Sequence, residues 1–398
     1  MSEKVIIIGG GPAGTAAALS CRKAGFRTTL IEKRTLGGTC VNQGCIPTRI
    51  YLNAVKAAGY LNRLGLESKE NFRPEKLREM AAEKIRQMVF GLEYLLQKSG
   101  TELLTGEVQS VELGVIRLND GRVLKCDYCI IATGSETTVP DLFSWKNRYD
   151  AEKLLFSEKV PEEVQIAGGG VLGIELAVIL KNFGCRVTLF EKEKHILPGW
   201  DRDVSISIRS HLQEQGIQIV ENSDKTVFDD VVFCCGRKSV LPEMLTNDSR
   251  FVHILGDAAG GTMTADKARE DGEMIGSILR NSSTAESVKV QTRCLFTPLE
   301  AAMTGELLQE NCIEGYSGAD MAAAGMIFST QGAFAKAVME KESHILTGFH
   351  IVSALASETI QTGALAVANQ MTAEEFLRNT APHPTEGEIL REAVRRLL

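Results

Sequence analysis

Val5-Ile6-Ile7-Ile8-Gly9-Gly10-Gly11-Pro12-Ala13-Gly14 joins a β-branched run to a glycine-rich turn, and an alanine-rich segment ending near Gly25 follows. The run has the unbroken apolar character of a buried parallel strand, and alanine favours helix. A second strand, Arg27 to Ile31, closes on Glu32 and Lys33. Strand, glycine turn, helix, strand and acid in that order give G-x-G-x-x-G its physical meaning. Gly9, Gly11 and Gly14 leave amides bare at a helix N-terminus suited to a pyrophosphate, Pro12 and Ala13 open the helix, and Glu32 offers a carboxylate to a ribose. Without those flanks the glycines would read as a turn.

The device returns further on. Val164-Gln165-Ile166-Ala167 leads into Gly168-Gly169-Gly170-Val171-Leu172-Gly173, a helix to Phe183, and a strand from Arg186 to Phe190 that ends in Glu191. Glu191 follows Gly168 at the distance at which Glu32 follows Gly9. Gly168, Gly170 and Gly173 therefore mark a second dinucleotide loop, with Glu191 at its ribose. A protein holding two dinucleotides moves electrons between them; the alternative is one working site and one structural relic.

Between the two loops stands Gly37-Gly38-Thr39-Cys40-Val41-Asn42-Gln43-Gly44-Cys45-Ile46-Pro47-Thr48-Arg49. A disulfide needs Cα atoms roughly 4.4–6.8 Å apart, whereas five extended steps cover about 16 Å and five helical steps rise about 7.5 Å. Pairing Cys40 with Cys45 requires a tightly coiled backbone there. Gly44 permits it, and Pro47 suits the first turn of a following helix. Spacing alone also fits two buried small hydrophobes.

The whole chain bounds the answer. At 398 residues it exceeds one ordinary core. A 44% hydrophobic and 24% charged composition suits a globular protein. The net charge of -7 gives no basic surface for nucleic acid or anionic lipid. Met1 to Val5 runs into a strand without the n- and h-regions of a signal peptide. The most apolar stretch, Ile166 to Leu180, is broken by glycines and Glu175, so no membrane span is expected. A cytoplasmic address follows, and in a reducing compartment a persistent cysteine pair is more naturally catalytic. Cys126 and Cys129 have metal-like spacing but no second pair nearby, and the segment reads as one strand, Val123 to Ile131; no metal site is expected. Cys234-Cys235 reads as core strand.

Helical patterns cover Pro47 to Gly65 and Pro74 to Gly100, the latter with apolar steps at Leu77, Met80, Ala81, Ile85, Met88 and Leu92. Thr133-Gly134-Ser135 closes the first sheet. Later come a helix, Val204 to Gln215, Gly236-Arg237, and a strand, Phe251 to Leu255, that delivers Gly256-Asp257 to a helix over Met263 to Leu279. From Ser287 the pattern turns to an α+β domain, with strands Gly332 to Glu340 and His344 to Val352, a helix Ala356 to Ala368, and His383-Pro384-Thr385-Glu386-Gly387-Glu388 before the last helix.

With these pieces aligned, the chain resembles the class I pyridine nucleotide–disulfide oxidoreductases over nearly its whole length. The resemblance implies an α/β fold of two Rossmann-like dinucleotide-binding domains, for FAD and NAD(P), plus a C-terminal α+β dimerisation domain. The expected boundaries are 1–148 and 248–286 for FAD, a shortened 149–247 for NAD(P), and 287–398 for a homodimer interface. It implies FAD on the first loop, with Gly38, Thr39, Thr133, Gly134, Gly236, Gly256 and Asp257 lining its site, and NAD on the second, NADP being less favoured. Cys45 would be the flavin-proximal thiol, Cys40 the interchange thiol, and His383 of the partner subunit an acid–base oriented by Glu388. A thiolate is the reactive form, so a base titrating near neutrality suits the chemistry.

Four departures accompany the match. Arg49 stands where the family carries a lysine paired with the glutamate matched by Glu175, and a guanidinium is not equivalent. Asp266 puts a carboxylate near the redox centre. The stretch from Glu191 to Gly236 is short for the family and lacks much of the second domain's small antiparallel meander. No N-terminal metal-binding domain or C-terminal vicinal thiol pair is present. Cys45-Ile46-Pro47 and the acidic Glu191 terminus point to NAD-linked dihydrolipoyl oxidation on a small dithiol or lipoyl-domain substrate. Lys192 and Lys194 weaken the choice of NAD. The alternatives are an NADPH-dependent reductase of glutathione or a similar disulfide, and a low-turnover flavin-binding sensor or assembly subunit.

Overall fold

The computed structural model describes residues 2–66, 73–246, 248–281, 290–318 and 332–398. Its first unit is a parallel sheet in the spatial order Val252–Ile254, Tyr128–Ile131, Lys4–Ile8, Arg27–Glu32, Glu102–Thr105. One face buries Val5 and Ile7 against the helices Pro12–Lys23 and Ala265–Asn281. The other buries Ile6, Ile8 and Ile131 beneath an antiparallel meander, Val108–Glu112, Val115–Leu118 and Val123–Lys125. Burial on both faces explains the unbroken isoleucines.

The second unit repeats the sheet: Gln218–Val220, Arg186–Phe190, Glu163–Ala167, Val227–Phe233, Ser144–Tyr149, all parallel. Among the described residues it has no meander; the strand Val227–Phe233 begins seven positions after Val220. The face that the meander covers in the first unit is paved here by Phe143, Phe190, Phe228 and Phe233, with Trp145 edge-on to Phe233 at 5.2 Å. Lys225 lies over Phe190 at 5.0 Å. Aromatic self-packing has replaced a missing layer.

The third unit is an antiparallel sheet, Thr292–Leu295, Glu300–Gly305, Leu346–Ser353, Phe334–Glu340, Cys312–Gly318. The helices Ala356–Ala368 and Gly387–Arg395 contribute to its core. No helix among the described residues is long and apolar enough to cross a membrane.

Three expectations are corrected. Val123 to Ile131 is two strands in two sheets, because Asp127 breaks the run by taking the Lys4 N–H on Oδ2 at 2.7 Å and giving its own N–H to Lys4 O at 2.8 Å. Cys234 and Cys235 follow the strand Val227–Phe233 rather than lying in it. The limits 149 and 247 shift, since Ser144–Tyr149 joins the second sheet while Met244–Leu245 pairs with the first unit's meander. The limit between 286 and 287 lies outside the described residues.

Candidate active site

The two glycine loops are built alike. A Cβ on Gly9 would stand 2.3 Å from Ala132 O, and one on Gly168 would stand 2.4 Å from Cys234 O. At Gly14 and Gly173 it would stand 1.8 and 2.0 Å from the carbonyl oxygens of Gly9 and Gly168. Only glycine admits such close helix–strand approach. The Gly10 N–H donates to Glu32 Oε2 and the Gly169 N–H to Glu191 Oε2, both at 2.7 Å. The helices Pro12–Lys23 and Val171–Asn182 start at Gly11 and Gly170 with no side-chain cap. Their first-turn N–H groups remain available to a phosphate, so both loops fit a dinucleotide.

The thiol segment leans on the first loop. The Gly37 N–H donates to Gly10 O at 2.8 Å, and a Cβ on Gly38 would stand 2.8 Å from Gly11 Cα. The chain makes a single helical turn, Gly38–Asn42, reverses through Gln43-Gly44, and starts the long helix Cys45–Arg63, called here the thiol helix. Coiling in this way brings Cys40 and Cys45, both free thiols, into hydrogen-bond contact. The Cys40 thiol donates, which is the main reason Cys45 is lowered to about 7; burial, Asp257 and Asp266 oppose it. Cys40, as donor and half-buried, is raised. Cys45 is thus the thiolate of the pair.

Asp257 is held by Ser135 Oγ at 2.6 Å, and Ser239 Oγ donates to Asp257 O at 2.7 Å. Thr133 and Gly134 are tied to Val240, and Arg237 donates to Ser135 O at 2.7 Å. A cleft of about 170 Å³ opens here between Asp257, Thr262 and Lys267. Lys33, by contrast, sits at the surface against Glu107 at 3.2 Å.

Arg49 does not meet Glu175. Its guanidinium stacks over the Phe296 ring at 3.9 Å and reaches Glu300 Oε1 at 3.6 Å. Glu175 is buried and accepts the Phe296 N–H at 2.9 Å. Burial raises its carboxyl to about 7, opposed by that N–H and by the Arg49 charge. Asp266, at the start of its helix, is close enough to act on Cys45 and Cys294. Phe296, Glu300 and Lys56 were not singled out from sequence, although a glutamate inside Leu299-Glu300-Ala301-Ala302 is a signal of buried pairing.

His383 and Glu388 are brought together as expected. A cis peptide precedes Pro384, and His383 Nδ1 meets Glu388 Oε1 at 2.8 Å. Glu388 also accepts the Thr385 N–H at 3.2 Å, and the His383 hydrogen bond lowers its carboxyl. The imidazole is 70% exposed.

Two nucleotide loops, a coiled thiol pair and an exposed histidine dyad define a flavin-linked disulfide oxidoreductase. The chain belongs to the pyridine nucleotide-disulphide oxidoreductase family, whose model matches residues 3–232, with the family's dimerisation domain over residues 292–394. Members of this family use FAD and NAD(H). The chain is 28% identical to a dihydrolipoyl dehydrogenase of Geobacillus stearothermophilus over 453 residues, covering 99% of this chain and 96% of the relative. It is 31% identical to a dihydrolipoyl dehydrogenase of Acholeplasma laidlawii over 240 residues, 57% of this chain and 70% of that one. Among solved structures, it resembles LpdA of Mycobacterium tuberculosis with a TM-score of 0.84 at 20% identity over 100% of both chains. The HOCl-induced flavoprotein disulfide reductase of Escherichia coli gives a TM-score of 0.86 at 19% identity over 99% of both chains. The alignment of 453 positions exceeds the chain's 398 residues, so the Geobacillus relative carries internal stretches that this chain lacks.

Proposed function

We infer that the protein is a homodimeric, cytoplasmic dihydrolipoyl dehydrogenase, passing electrons from a small dithiol, free or on a lipoyl domain, to NAD+. The observation that carries this reading is the Cys40–Cys45 contact at a helix N-terminus, resting on the first nucleotide loop. Bound FAD would supply the two-electron link between the thiol pair and the nicotinamide. Gly9, Gly11, Gly14, Glu32, Gly256 and Asp257 would hold it, and Gly168, Gly170, Gly173 and Glu191 would hold NAD.

In the oxidised enzyme the pair is a disulfide. A substrate thiol gives its proton to His383 of the partner subunit and attacks Cys40 Sγ. The sulfur–sulfur bond breaks and Cys45 leaves as thiolate. The second substrate thiol, its proton released to solvent, attacks the mixed disulfide as thiolate, closing the substrate disulfide and releasing Cys40, which takes the proton held by the imidazolium. Glu388 holds the ring in place through its Nδ1 contact. With FAD and NAD+ bound, the Cys40 thiol and Cys45 thiolate would return to the disulfide, their two electrons and the Cys40 proton passing to NAD+ to give NADH.

A panel of dihydrolipoamide, lipoamide and glutathione disulfide with both nicotinamides, run beside Cys45→Ser, tests the reading. Lipoamide turnover with NAD(H), lost in the variant, is expected; turnover of glutathione disulfide with NADPH alone would overturn it. A low-turnover flavin sensor is a second reading, favoured by Arg49 turning away from Glu175 and by the absent meander. Slow turnover of every disulfide by a protein that retains FAD would select it.

A further inference from the structure

Glu386 lies between His383 and Glu388 in sequence, yet it takes no part in their contact. It occupies the N-cap position of the helix Gly387–Arg395 without capping it. Instead its side chain is buried, with the residue only 4% exposed. Oε2 accepts from Ser353 Oγ at 2.5 Å and from the Leu355 N–H at 2.9 Å, and Oε1 accepts from the Ala354 N–H at 3.1 Å. All three donors belong to one turn, at the end of the strand Leu346–Ser353.

The same turn is gripped from the opposite side. Lys56 Nζ donates to Ala354 O and meets Glu300 Oε1 at 2.8 Å. Glu300, 1% exposed, accepts on Oε2 from the Ser357 N–H at 3.0 Å and Ser357 Oγ at 2.7 Å. Arg49 and Lys56 both lie on the thiol helix that Cys45 begins. One turn therefore joins the helix that begins at Cys45 to the loop bearing the histidine.

We propose that Glu386 is the positioning residue of the His383–Glu388 dyad, with residues 353–357 as the bracket that fixes dyad and thiol helix in one frame. A carboxylate is required because all three contacts point donors at it, and an amide in its place presents donors to donors. Burial makes the tie rigid, since the exposed dyad has no other buried side chain on its loop to hold it. The catalytic consequence rests on the function inferred above; the geometric one does not.

The test compares the full-length holoprotein with Glu386→Gln and with Ser353→Ala, which removes one donor. Imidazole order is read by relaxation of ring-labelled histidine, with His383 assigned by His383→Asn. Lipoamide turnover and single-turnover reduction of the holoprotein by NADH are measured beside it. Glu386→Gln should raise ring mobility and cut kcat for lipoamide 10- to 100-fold, leaving NADH-driven reduction and KM for NAD+ unchanged. Ser353→Ala should act several-fold in the same direction, and it decides the matter if Glu386→Gln does not fold. Unchanged ring order in the variants, or equal loss of both half-reactions, would overturn the proposal. If wild-type protein turns over no lipoamide, the inferred function fails while the ring measurement still decides the role of Glu386.

Discussion

Cys45 carries the most direct test at the scale of single residues. With its thiol lowered to about 7, alkylation by iodoacetamide should show a midpoint near pH 7, well below an ordinary thiol. Cys40→Ala removes the main cause and should move that midpoint up. Because the folded value is depressed, the thiolate's contribution to stability is present at alkaline pH and is lost as pH falls through 7. Glu175 has the opposite sign. Its raised value, about 7, means that its contribution is complete at pH below the ordinary carboxylate range and is lost as pH rises through 7. Glu175→Gln should flatten the pH dependence of urea stability between pH 5 and 8 by roughly 3 kcal/mol; an unchanged slope would place the proton elsewhere. The thiol pair and the His383–Glu388 dyad were legible in sequence because each is encoded within a few residues. Glu300 and Glu386 were not, since their meaning comes from Lys56, Arg49 and Ser353, which lie far away along the chain.

At the scale of elements, the loops can be separated by single methyl groups. A Cβ at Gly173 collides with Gly168 O, and one at Gly14 collides with Gly9 O. Gly173→Ala should weaken NADH binding at least tenfold while FAD absorbance per protein stays at the wild-type level, and Gly14→Ala should lose the flavin. Loss of flavin from Gly173→Ala would contradict the assignment of the loops. Strand and helix positions were readable where a single period runs its full length, as in Ala356–Ala368, whose expected and observed limits coincide. The reading failed at Cys126-Asp127, where an apolar residue serving the meander's core continues a pattern that the backbone has already left. Residue type records burial, not which sheet provides it.

For the whole molecule, the two dinucleotide units solve one problem differently. The first covers its sheet with a meander; the second buries Phe228 and Phe233 among neighbouring rings. The shortness of the stretch was visible in sequence, but the replacement layer was not, because Phe143 and Trp145 reach it from the start of the strand Ser144–Tyr149, ahead of the second loop. Phe233→Ala should therefore cost about 3–5 kcal/mol, far more than an ordinary surface aromatic, measurable by chemical denaturation.

An ion cluster spans the second and third units at Lys336, only 5% exposed, whose ammonium meets Asp201 at 3.1 Å, Asp203 at 2.7 Å and Glu314 at 3.2 Å. Asp201 and Asp203 begin the helix Arg202–Glu214 of the second unit, while Glu314 lies in the third unit's own sheet. The three carboxylates raise the amine despite the burial that opposes them. A raised amine contributes fully below its unfolded value and loses that contribution as pH rises through its folded one, both well above neutrality, so the lock is constant across neutral pH. Lys336→Met leaves three carboxylates facing one another and should cost about 3–5 kcal/mol. If the lock joins the units, the variant's denaturation should split into two transitions, the second unit melting first. A single transition shifted as a whole would show instead that the shared apolar core, running from Ile208 to Phe334 and Val352, holds the units together without it.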